Sequence, residues 1–166
     1  MSGEPRYDRP GPGERLNTGE VKPARPAASV MVLRDPGPEV LLVQRNPDAR
    51  FMGGAWVFPG GAVHDDDAAP SETAARELEE EAGQRAGRLS PLGWIWTTPG
   101  FTDERIHLFA AFELRSVAHR PDQDEVIEPV RTSLARALEL VFRGEIRDAK
   151  SALALLHAAH RLGRLG

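Results

Sequence analysis

Residues 58–83 read Phe-Pro-Gly-Gly-Ala-Val-His-Asp-Asp-Asp-Ala-Ala-Pro-Ser-Glu-Thr-Ala-Ala-Arg-Glu-Leu-Glu-Glu-Glu-Ala-Gly. A glycine-rich turn leads into a helix that ends in a dense carboxylate cluster. Ser71 is the expected N-cap and Gly83 the expected C′ stop, with no Gly or Pro between them. At about 100° per residue, Ala74, Ala75, Leu78 and Ala82 share one arc, the predicted core-facing stripe. Glu77, Glu80 and Glu81 fall on the adjoining arc as i, i+3 and i+4, so their side chains converge. Arg76 lies four residues before Glu80 and can hold that carboxylate in place.

Such clustering costs stability. Like charges at i, i+4 destabilise a helix by about 0.2–0.5 kcal/mol per pair. Acids in the last turn also face the negative end of the helix dipole, at about 0.3–1 kcal/mol each. A solvated acidic face is the bland explanation of a Glu run. This run borders an apolar stripe and follows a Phe-Pro-Gly-Gly turn, which favours a hard divalent cation held by carboxylate oxygens and bridged to substrate phosphates.

The segment resembles the Nudix box, Gly-x5-Glu-x7-Arg-Glu-U-x-Glu-Glu-x-Gly-U, where U is a bulky apolar residue. Gly61 matches the first glycine, and residues 76–83 fill Arg-Glu-U-x-Glu-Glu-x-Gly. There are two departures. Asp67 stands where the mid-box Glu would be, and the run from it to Arg76 is one residue longer. Gln84 occupies the final apolar position. The resemblance spans roughly residues 27–162. It implies an α/β fold, the Nudix-type α/β/α sandwich around a mixed β-sheet.

It also implies a chemistry, in which water attacks one phosphorus of a nucleoside diphosphate linked to another group. Glu77, Glu80 and Glu81, with the backbone carbonyl of Gly60, would ligate Mg²⁺ or Mn²⁺, and Arg76 would orient the carboxylates. The glycines let the backbone approach cation and phosphates with no Cβ in the way.

Two branches of the family compete for the substrate. Residues 98–104, 122–128 and 144–150 resemble ADP-ribose pyrophosphatases. In that branch the first of these segments, here with Phe101 and Glu104, lines the substrate cleft. A loop glutamate before the last strand, here Glu125, assists the attacking water. Upstream, Leu41-Leu42-x-x-Arg45 and Arg50-x3-Gly54-x3-Phe58-Pro59-Gly60-Gly61 resemble coenzyme A pyrophosphatases, although Val43 and Asn46 depart from that motif. Arg45 and Arg50 would grip an extra phosphate. The ADP-ribose branch implies a homodimer. A Nudix-like domain that binds a nucleotide without cleaving it is a further alternative, disfavoured because all three box glutamates are intact.

The 166 residues suit one domain with a real core, preceded by a Pro-rich tail over residues 1–26 that is disordered or ordered by a partner. The Nudix domain is expected over residues 27–166. A formal net charge of −4 and a pI near 5.8 argue against a nucleic-acid partner. With no cysteine, thiolate catalysis and Cys-ligated zinc are excluded. The absence of a long apolar run argues against a membrane span and makes the cytoplasm the expected compartment.

Asp35-Pro36-Gly37-Pro38 between apolar runs 29–33 and 40–44 predicts a β-hairpin. Further strands are expected at 55–58, 92–97, 106–114 and 126–130, the last an edge strand or bulged at Pro129. Helices are expected over 134–143 after Ser133 and 149–162 after Asp148. The stripe Ala152, Leu155, Leu156 and Ala159 reads as core.

Overall fold

The computed structural model describes residues 24–34, 38–48, 52–98, 102–118 and 127–164. Among the described residues, nine strands and three helices follow one another. They are β1 (Ala27–Arg34), β2 (Glu39–Arg45), β3 (Trp56–Val57), β4 (Gly60–Ala62), α1 (Pro70–Ala82), β5 (Gln84–Arg85), β6 (Arg88–Trp96), β7 (Arg105–Phe112), β8 (Arg115–Ser116), β9 (Ile127–Ser133), α2 (Leu134–Phe142) and α3 (Ala149–Arg161).

The expected hairpin is present: β1 and β2 pair antiparallel, with Val32 opposite Leu41. The first half of β2 pairs with β1 on one edge and with β9 on the other. Beyond Leu41 the β1-facing edge of β2 passes to β3, with Val43 opposite Val57. The start of β1 likewise pairs with β4 on the edge that faces β2, and with β7 in parallel on its other edge. The hairpin strands therefore part, and the chain of β3 and β4 fills the fork. β6 closes the far side against β7. The sheet is mixed because β1·β7 is parallel and every other ladder is antiparallel. β9 lies at the edge beside β2 with Pro129 opposite Val43, as its proline required.

Two apolar layers sandwich this sheet. Ala28, Val30 and Val32 of β1 pack with Leu41 and Ala111 against Ala74, Leu78 and Ala82 of α1. Met31 and Leu33 point the other way, with Val40, Leu42, Leu108 and Ala110, against Leu134, Leu138, Leu155 and Ala159 of α2 and α3. Period-2 alternation along a strand buried on both faces produces this α/β/α arrangement.

Some local expectations need correcting. α1 begins at Pro70, with Ala69 as N-cap in extended conformation, so Ser71 lies inside the first turn. Proline suits that first position because its missing N–H is unpaired there anyway. Glu72 reaches back to accept from the Ala68 N–H at 2.9 Å, in place of a capping serine. Ala75 is half-buried, and Thr73 is the fully buried residue instead. The helix stops at Gly83, at φ 58°, ψ 33°, whose N–H returns to the carbonyls of Glu79 and Leu78. β4 and the small β5–β8 pair were not anticipated. β6 starts four residues earlier than expected, and Pro91 is accommodated beside a register shift between Pro91 and Gly93. α2 and α3 carry their expected caps: the Ser133 side chain accepts from Arg136 N–H and Asp148 from Ser151 N–H.

Candidate active site

The site forms where β4 meets α1. Its approach is pinned from both sides of the sheet. The Phe58 N–H donates to Ser151 Oγ at 2.9 Å, and Ser151 in turn is held by the α3 cap Asp148. The Pro59 carbonyl accepts from Val30 N–H at 2.8 Å and from Ser29 Oγ at 3.2 Å. With these bonds made, Gly60 and Gly61 are set against the acidic side of α1.

The Gly60 N–H donates to Glu81 Oε2 at 3.0 Å. A Cβ on Gly60 would strike the Ala28 carbonyl, and one on Gly61 would strike the Glu77 carboxylate. Glu77 and Glu81 are buried, at 8% and 5% exposure. Arg76 Nη1 lies 2.8 Å from Glu77 Oε1 and 2.9 Å from Glu80 Oε2. Burial opposes the Arg76 charge, yet Glu77, then Glu80, with Asp67 behind them, outweigh it and hold the guanidinium pKa above its usual range.

Asp67 gains a place that the sequence did not reveal. Its Oδ2 accepts from the Thr73 hydroxyl at 2.8 Å and the His64 N–H at 3.0 Å, and lies 3.5 Å from Arg76 Nη2. The last is an ionic contact without hydrogen-bond geometry, since Nη2 makes no hydrogen bond among the described residues. The His64 and Thr73 donors, aided by Arg76, hold the Asp67 carboxyl below its usual range. Asp67 thus closes the loop onto α1 and backs Arg76 from behind.

Alongside, Arg85 grips Glu79 through Nε at 2.6 Å and Nη2 at 2.9 Å, and this contact lowers the Glu79 pKa. An open cavity of ≈310 Å³ is lined by Arg76, Glu79, Glu80, Arg85, Val117 and Ala118. It lies between α1 and the chain that follows β8.

Glu104 is half-buried at the entry to β7, where its Oε2 accepts from the Thr97 hydroxyl at 2.7 Å. Arg45 ends β2, and its buried Nε has no hydrogen-bond partner among the described residues. Arg50, Phe101 and Glu125 lie outside the described residues. The geometry thus brings together Gly60, Gly61, Arg76, Glu77, Glu80 and Glu81.

Among the described residues, no three acidic or imidazole side chains stand around a common point ready for a metal ion. The donor set nevertheless suits a hard divalent cation: three carboxylates on one helix face, two of them buried, beside a backbone cradle that a Cβ would fill.

The Nudix domain model matches residues 23–154. The chain is 34% identical over 147 residues to the ADP-ribose pyrophosphatase of Bacillus subtilis, covering 87% of this chain and 77% of that one. It is 29% identical over 126 residues to the Nudix hydrolase NudL of Escherichia coli, covering 76% of this chain and 66% of NudL. The crystal structure of an ADP compounds hydrolase superposes with a TM-score of 0.68 at 23% identity, over 84% of this chain and 76% of that one, which supports the fold. The chain belongs to the Nudix family of hydrolases. It is therefore an enzyme, a pyrophosphohydrolase with an α/β/α fold, and not a non-catalytic sensor. No helix among the described residues is long and apolar enough to cross a membrane.

Proposed function

We propose that the protein is a divalent-cation-dependent pyrophosphohydrolase that cleaves ADP-ribose or a similar ADP-sugar. One observation carries the reading: Gly60 and Gly61 lie bare against Glu81 and Glu77 while Arg76 ties Glu77 to Glu80. A cluster of acids this costly to a helix is explained by a ligand that neutralises it.

Glu77, Glu80, Glu81 and the Gly60 carbonyl would hold Mg²⁺ or Mn²⁺. A cation held by these residues would neutralise the diphosphate and lower the pKa of the attacking water. Arg76, backed by Asp67, keeps Glu77 and Glu80 oriented. Glu125 takes the proton from the water. The ≈310 Å³ cavity is lined by Arg76, Glu80 and Ala118, and Ala118 precedes Glu125 by seven residues in the chain. Phe101 and Glu104 line the cleft. The name of the Bacillus subtilis relative supports the ADP-ribose substrate. The reading includes a cytoplasmic homodimer, which sedimentation tests.

Coenzyme A is the second reading, favoured by the buried Arg45 Nε, which has no partner among the described residues and is a donor suited to an extra phosphate beside Arg50. A substrate panel with Mg²⁺ or Mn²⁺ decides: release of AMP and ribose 5-phosphate from ADP-ribose supports the first reading. Turnover of coenzyme A with ADP-ribose inert overturns it in favour of the second.

A further inference from the structure

Trp94 and Trp96 stand on β6 with 46% and 50% of their surface exposed. Their rings meet edge to face with centroids 4.8 Å apart, and the Arg105 guanidinium lies 5.2 Å from one ring centre and 5.8 Å from the other. Indole rings left in water forgo a large burial gain, so a cluster of them marks a surface awaiting a ligand.

The sheet relates this cluster to the active site. Ile95 packs into the α2/α3 core, so its neighbours Trp94 and Trp96 face the α1 side. Trp94 is opposite His107, His107 is opposite Ala28, and Ala28 is opposite Gly61. These four residues form one row across the sheet, and Ala28 packs toward α1. Three strand spacings separate Gly61 from Trp94, about 14 Å. An extended nucleoside diphosphate spans such a distance.

Resting on the pyrophosphohydrolase reading, we infer that Trp94, Trp96 and Arg105 form the shelf that stacks the nucleobase of a substrate whose diphosphate lies against Glu77 and Glu81. Every base offers a π face to an indole, and Arg105 adds a cation beside it. A second copy of the chain suits this surface less well. Pro91 and the register shift beside it interrupt the strand, so β6 offers no regular ladder for edge-to-edge pairing.

Calorimetry with AMP, and with base-free ribose 5-phosphate as control, tests the shelf in the Mg²⁺-loaded full chain. Trp94→Ala and Trp96→Ala should each weaken AMP binding by about 5- to 100-fold, the worth of a base–aromatic stack, while Trp96→Phe retains most of it. Ribose 5-phosphate binding should not move. Failure of AMP to bind the wild type overturns the inference. So do unchanged AMP affinity in both alanine variants, equal losses for the two ligands, or a change confined to sedimentation. ADP-ribose hydrolysis by the wild type is scored separately, so an inert ADP-ribose sinks the substrate reading while AMP binding still decides the shelf.

Discussion

Gly61 faces Glu77 with no room for a side chain between them: a Cβ at position 61 would stand 2.8 Å from Cδ and 3.2 Å from Oε2 of that carboxylate. The cradle at the end of β4 is thus built by the absence of an atom. Gly61→Ala is expected to push Glu77 out of place. Its effect should appear as a loss of Mn²⁺ affinity of about 10–100-fold, the scale seen when groups that orient ligands are disturbed. Thermal unfolding should change little, because the displaced group is the end of a side chain. Titration of Mn²⁺ with unaltered affinity would show that the contact carries no function.

Glu80→Gln and Glu81→Gln remove a ligand and a source of repulsion together. Turnover should fall by orders of magnitude while the metal-free protein unfolds at nearly the same temperature: Glu81→Gln relieves the like-charge i, i+4 pair with Glu77, worth about 0.2–0.5 kcal/mol, whereas Glu80→Gln relieves repulsion from Glu77 but also removes the ion pair with Arg76. Near-full activity of either variant at saturating Mg²⁺ would remove that residue from the site.

Much of this was legible in residues 58–83. Arg76, Glu77, Glu80 and Glu81 come together because helix geometry brings i, i+3 and i+4 to one face, and Gly83 ends the helix where a residue with positive φ is needed. Other features depended on contacts remote in sequence. Gly60–Ala62 has no strand character of its own and becomes β4 only by pairing with β1. Pro70 displaced the expected serine cap because a fixed φ suits the first helical position better. Thr73 gave no hint of its burial, since its partner Asp67 is recruited by the longer loop before it. The exposure of Trp94 and Trp96 follows from which strands α1 covers, and no local pattern reports that.

Acid should weaken the fold partly through Asp67. Its carboxyl lies below the ordinary value of 3.8, chiefly through the His64 N–H and then the Thr73 hydroxyl. A group lowered in this way binds fewer protons folded than unfolded. Its stabilisation is present above the unfolded value and is lost as pH falls through the folded one. Asp67→Asn should therefore flatten the fall in unfolding temperature below about pH 4. Parallel profiles for wild type and variant would show that the contacts contribute nothing.

Ser151 reaches across the sheet to hold the strand that enters the site. Ser151→Ala leaves the buried Phe58 N–H without its acceptor and should cost about 1–3 kcal/mol of stability. Denaturant unfolding measures it directly, and a change below about 0.5 kcal/mol would mean that the backbone finds another partner.

The general base should separate cleanly from the cleft residue. Glu125→Gln is expected to lower kcat by about 10²–10⁴ with Mn²⁺ binding unchanged. Glu104, engaged by Thr97 at the entry to β7, should act mainly on KM. A larger kcat loss for Glu104→Gln, with Glu125→Gln near wild type, would transfer the proton-accepting role to Glu104.

Hydrolysis of ADP-ribose by the wild type and by Glu80→Gln, each with Mg²⁺ and again with the metal chelated, tests the central claim most directly. The expected result is AMP and ribose 5-phosphate from the metal-loaded wild type, and a rate lower by orders of magnitude in the other three conditions. Equal product formation with and without metal, or by both proteins, would contradict it.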